Sequence, residues 1–178
     1  MKKLTLAFLL LMAAESIWAA SSGTWEFQQG GLNVVVLAKD ADYDDKRSYQ
    51  VVVADELRTL ARLEVNRDGL VTDAWLTDLD DDGMFEIVVA TGQLAGADVG
   101  AVDVHEWRDF RFASSKPAKL TTTELVGYHG NDQYTIAGGR LQRSYPMFSE
   151  SNGVRVPTGT LARFEYHYAE DRWEARSP

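Results

Sequence analysis

Ala74-Trp75-Leu76-Thr77-Asp78-Leu79-Asp80-Asp81-Asp82-Gly83-Met84-Phe85-Glu86-Ile87-Val88-Val89-Ala90 is the stretch whose reading decides the fold. Its ends are apolar runs rich in aromatic and β-branched residues, the composition of strands. Its middle is an acidic turn. Read as Asp-x-Asp-x-Asp-Gly-x-x-Glu, the turn has the spacing of a calcium loop. Ca²⁺ takes about six to eight oxygens at roughly 2.3–2.6 Å. Alternate carboxylates around a tight turn converge on one point, and Gly83 permits the reversal. On this reading Asp78, Asp80 and Asp82 supply side-chain ligands, Met84 its carbonyl, and Glu86 closes the site. An EF-hand would place its closing glutamate where Val89 stands, so this is not an EF-hand, and the flanks read as strands rather than helices. The same residues also make a hairpin without metal, because Asp and Gly tolerate positive φ. Both readings stand at this point, as does another cation in place of calcium.

Outward from the turn, the chain keeps the character of short strands. Upstream, Trp25-Glu26-Phe27 alternates and Gly30-Gly31 turns the chain. Leu32 to Leu37 and Ser48 to Val53 read as strands, separated by the acidic loop Asp40 to Asp45. Leu57 to Val65 fits a strand better than a helix, and Asn66-Arg67-Asp68-Gly69 reads as a hairpin turn. Downstream, Thr91 to Gly100 is a loop of small residues, which lets another surface come close. Ala101 to Trp107 is a further strand, and Ala113 to Thr123 reads as a connector. Tyr134 to Ile136 and Leu141 to Tyr145 flank Gly138-Gly139, a two-residue turn signal. Pro146 is expected to end that strand, and Ser149 to Thr158 to form a polar loop. Leu161 to Tyr168 alternates, with Ala162, Phe164, Tyr166 and Tyr168 on one face. Many short strands at regular spacing, with no helix after the N-terminus, predict an antiparallel β-sandwich or barrel.

The N-terminus itself reads as an export signal. Met1-Lys2-Lys3 precedes the apolar run Leu4 to Ala14, too short to span a bilayer before Glu15 interrupts it. A signal peptide over residues 1–20, cleaved between about 19 and 23, leaves one β-sandwich domain over 21–178. Removing it takes the formal charge from −9 to about −10. That acidity argues against nucleic acid and anionic membrane as partners. The chain has no cysteine, which excludes disulfides, thiolate zinc sites, cysteine nucleophiles and a lipid anchor on cysteine. An exported chain without cysteine fits the periplasm.

Signals of catalysis are thin. His105, His129 and His167 lack the spacing of a zinc site, and His129 reads as a turn residue. There is no nucleophile elbow around a serine and no phosphate-binding glycine loop. The aromatic residues, four of them Trp25, Trp75, Trp107 and Trp173, read mostly as core. The expectation is a protein that binds rather than one that turns over a substrate.

Two blocks of the chain then carry a resemblance. Asp78-Leu79-Asp80-Asp81-Asp82-Gly83-Met84-Phe85-Glu86-Ile87-Val88-Val89, followed by the small-residue loop, is the first. The second is Gly127-Tyr128-His129-Gly130-Asn131-Asp132-Gln133-Tyr134 with Gly139-Arg140-Leu141-Gln142-Arg143-Ser144-Tyr145-Pro146. Together with the exported leader, they resemble the periplasmic inhibitors of invertebrate-type lysozyme over roughly Trp75 to Tyr168. The resemblance implies an antiparallel β-sandwich of about eight strands that inserts a loop into the lysozyme cleft. In that family the loop reads Ser-Gly-x-x-Tyr. Here the matching positions are Gly96, Ala97, Asp98 and Val99, with Gly100 following, and neither the Ser nor the Tyr of the family pattern is kept. The function implied is a non-enzymatic lysozyme inhibitor; the alternative is a calcium-dependent structural or ligand-binding module of the cell envelope.

Overall fold

The computed structural model describes residues 21–39, 47–67, 69–92 and 99–176. The expected signal peptide, the expected acidic loop at 40–45 and the expected partner-binding residues Gly96, Ala97 and Asp98 lie outside them. The described residues form twelve strands and one short 3-10 turn. They pair in chain order into three antiparallel sheets of four. The first holds β1 (Ser21–Gln29), β2 (Leu32–Lys39), β3 (Arg47–Ala54) and β4 (Thr59–Arg67). The second holds β5 (Leu70–Thr77), β6 (Phe85–Gly92), β7 (Ala101–Arg108) and β8 (Arg111–Ser115). The third holds β9 (Gln133–Ala137), β10 (Arg140–Ser151), β11 (Val154–His167) and β12 (Arg172–Ala175).

The second sheet is packed on both faces. On one, Ala74, Phe85, Ile87, Val89 and Trp107 meet Val34, Val36, Tyr49, Val51 and Val53 of the first sheet. On the other, Val88, Ala90, Val102 and Val104 meet Leu141, Tyr145, Phe164, Tyr166 and Trp173 of the third. Successive side chains of a strand point to opposite faces, so a strand covered on both sides must be apolar almost throughout. That is the composition of β6, which is buried from Phe85 to Thr91. The antiparallel, nearly all-β architecture is the expected one. The count of about eight strands is corrected to twelve.

Part of that correction comes from turn chemistry. The β7–β8 turn is Asp109-Phe110, both with positive φ, so neither glycine nor asparagine marks it. The strand beyond it, Arg111–Ser115, lies at a sheet edge with most of its side chains exposed, and its last three residues, Ala113 to Ser115, therefore read as connector. Two more expectations change. Pro146 does not end its strand: the β10–β11 register shifts between Pro146 and Phe148, then pairing resumes as far as Ser151 and Val154. A bulge tolerates a residue without an N–H. The polar loop of 149–158 is therefore the tip of a hairpin turning at Asn152-Gly153. Asn66 to Gly69 is likewise not a hairpin turn, since β4 pairs with β3 and β5 with β6. Turn-forming residues report a tight change of direction and leave open which sheet the next strand joins.

Candidate functional site

The β5–β6 connection carries the acidic turn. Thr77 pairs with Glu86 at the end of the ladder, so Glu86 shares the face of Val88 and Ala90 toward the third sheet. One carboxylate oxygen from each of Asp78, Asp80 and Glu86 lies within 4.8 Å of the others. Glu86 is fully buried (0% exposed). Its Oε2 accepts the Leu79 N–H at 2.6 Å, while its Oε1 has no hydrogen-bond partner among the described residues. Burial pushes the Glu86 carboxyl up to about 7; the Leu79 N–H opposes this, and the charges of Asp80, Asp78 and Glu106 add to it.

The backbone of the turn is tied by its own carboxylates. Asp78 accepts the N–H of Asp82 at 3.1 Å and of Gly83 at 2.9 Å. Asp82 is held away from the cluster: it accepts the Met84 N–H at 2.8 Å and pairs with Arg108 on β7. The Met84 side chain is exposed. Arg140, from the third sheet, donates to the Leu79 carbonyl at 3.1 Å and to Asp81 at 3.0 Å. Leu79 itself is buried in the core between the second and third sheets. The turn is thus stitched across both. Of the expected ligands, Asp78, Asp80 and Glu86 come together, and Asp82 is engaged elsewhere.

A second polar centre sits where the small-residue loop rejoins β7. The Gly100 N–H donates to Asp132 at 2.8 Å, and the Tyr134 hydroxyl donates to the Gly100 carbonyl at 3.2 Å. Only glycine fits there, because a Cβ would lie 2.8 Å from both the Asp132 Cβ and Tyr134 Cε2. The Asp132 side chain is fully buried and pairs with Arg143 at 2.7 Å. It also accepts from the Tyr128 hydroxyl. The Arg143 guanidinium lies 5.4, 5.8 and 5.7 Å from the ring centres of Tyr128, Tyr134 and Tyr145, within cation–π range. Burial, then the bond to Asp132, pushes the Tyr128 phenol up to about 12. Val99, the neighbour of this knot, is exposed. Sequence reasoning placed Asp132 and Arg143 inside the second block without assigning them a role; no spacing rule joins a residue at 100 to residues at 132 and 143.

His105 belongs to a third centre, inside the core between the first and second sheets. The Tyr49 hydroxyl donates to Asp103 at 2.7 Å and lies 2.6 Å from His105 Nε2. With its one proton used on Asp103, the phenol accepts from Nε2–H, and Nδ1 then accepts from Ser114 Oγ at 2.8 Å. Arg67 pairs with Asp103. Burial holds His105 down at about 4, Asp103 opposing and Arg67 adding to the effect. His105 is 1% exposed, so these groups are placed to hold two sheets together rather than to meet a substrate. His129 lines a shallow groove with Val126, Phe148 and Arg155, its ring edge-on to Phe148 at 5.5 Å.

Comparison with protein-family models, with curated proteins and with solved structures finds no match.

Proposed function

We propose that the chain is an exported, non-catalytic β-sandwich protein that binds a lysozyme of the invertebrate type and occludes its cleft with the loop between β6 and β7. The observation that carries this reading is the anchoring of the loop. Its first end, Gly92, is paired with Leu70 in the ladder. Its second end, Gly100, is fixed by Asp132 and Tyr134, which Arg143 holds in turn. The two blocks that resemble the lysozyme inhibitors, far apart in the chain, therefore meet at the base of the loop expected to enter the enzyme. A loop sprung from fixed ends loses less freedom on docking, which favours affinity. The acidic surface raises the association rate toward a basic enzyme more than it raises affinity.

An inhibition titration tests the proposal. The purified protein is mixed with invertebrate-, chicken- and goose-type lysozymes at low and moderate salt. Stoichiometric loss of the invertebrate-type activity is expected, and Gly96→Arg is expected to abolish it by blocking entry of the loop. Folded protein that inhibits none of the three would sink the inhibitor reading. The alternative, a calcium-dependent module of the envelope without inhibition, is favoured by the buried Glu86 of the acidic turn and would then take its place.

A further inference from the structure

We propose that the β5–β6 turn is a Ca²⁺ site built on Asp78, Asp80 and Glu86, and that the bound ion fastens the second sheet to the third. The inference does not depend on lysozyme binding. Three carboxylates with oxygens within 4.8 Å of one another would by themselves be an ordinary acidic turn. What distinguishes this one is Glu86. It is fully buried, one oxygen is spent on the Leu79 N–H, and the other has no hydrogen-bond partner among the described residues. Buried polar atoms are nearly always satisfied, and a buried carboxylate oxygen beside two further carboxylates is short of a positive charge.

The cations already near the turn do not supply it. Arg108 is taken by Asp82 and Glu106, and Arg140 by Asp81 and the Leu79 carbonyl. The donor set is all oxygen, which suits a hard cation. Ca²⁺ tolerates irregular geometry with carbonyls and water completing its shell, whereas Mg²⁺ demands a near-octahedral arrangement and gives up water reluctantly. An ion at this point would sit against the residue whose backbone links the sheets. Leu79 is buried in the shared core, its N–H bonded to Glu86 of β6 and its carbonyl to Arg140 of β10. Binding should therefore be read as stability of the whole protein, because a ligand specific to the folded state raises its melting temperature.

The test uses the protein stripped of cations with a chelator, then titrated with CaCl₂ or MgCl₂ while melting is followed by circular dichroism. At a Ca²⁺ concentration about a hundredfold above Kd, the expected rise is roughly 5–10 °C. Asp80→Asn and Glu86→Gln should each remove the response. Glu86→Gln keeps an acceptor for the Leu79 N–H and removes a buried charge, so it remains folded without calcium. Asp81→Asn, outside the cluster, should retain the response. No rise in the wild type, or a rise that survives both Asp80→Asn and Glu86→Gln, would overturn the site. An equal response to Mg²⁺ would overturn its assignment to calcium.

Discussion

Asp132 ties together three groups that are otherwise unrelated in the chain. Its buried carboxylate holds the Gly100 N–H, the Arg143 guanidinium and the Tyr128 hydroxyl. Replacing it with alanine leaves Arg143 buried without its counter-charge, and breaking a buried pair on one side costs about 3–5 kcal/mol. Asp132→Ala should lower the free energy of unfolding by that order, read from urea denaturation; a loss near the 0–1 kcal/mol of a surface pair would mean that water reaches Arg143. Gly100→Ala probes the same knot from the loop side. Its methyl would press on Asp132 and Tyr134, and overpacking of this kind costs about 1–3 kcal/mol. His105 gives a pH dependence of definite sign. Its folded pKa, about 4, lies below its ordinary value of 6.5. The unfolded chain therefore binds the proton more readily between those values, so stability is full above pH 6.5 and falls as pH drops toward 4. The loss is at most about 3 kcal/mol. Urea midpoints of wild type and His105→Gln across this window should converge at low pH, and parallel curves would show that other groups carry the dependence.

At the scale of the element, β6 is where sequence and structure agree most closely. Phe85 to Ala90 announces a strand by composition, and its lack of alternation fits burial on both faces. Ile87 and Val88 are neighbours in sequence yet belong to different cores. Ile87→Ala should cost about 2–5 kcal/mol, and Val88→Ala should also be costly, although one points to the first sheet and the other to the third. A small effect at either position would mean that its face is less tightly packed than the structure shows. Elements with weaker signals were less legible. β8 lies at an edge and follows a turn without glycine, and β12 is four residues long. Pro146 looked like a terminator because a missing N–H normally stops a ladder, and the bulge that accommodates it leaves no trace in composition. Of the acidic turn, the carboxylate spacing was readable, and so was the role of glycine. The diversion of Asp82 to Arg108 was not, because the pair spans 26 residues and two strands.

At the scale of the molecule, the decisive feature is that one sheet serves two cores. The first sheet packs through Tyr49, Val51 and Val53, the third through Leu141, Tyr145 and Phe164, each against opposite faces of the second. Polar ties reinforce both contacts: Tyr49 and Arg67 reach Asp103 on one side, and Arg140 reaches the Leu79 carbonyl on the other. Separating either outer sheet would expose one apolar face of the middle sheet and leave buried polar groups without partners. Each term opposes partial unfolding. The arrangement therefore predicts one cooperative transition rather than the successive loss of sheets. Val51→Ala in one core and Leu141→Ala in the other should each lower the same melting temperature. Two tryptophans report on each core, Trp25 and Trp107 on the first and Trp75 and Trp173 on the second. The double variants Trp25→Phe/Trp107→Phe and Trp75→Phe/Trp173→Phe, melted by fluorescence and by far-ultraviolet circular dichroism, should give coincident curves within each protein. Two resolved transitions, with Val51→Ala moving one and Leu141→Ala the other, would show that the cores melt independently and that the shared sheet does not couple them.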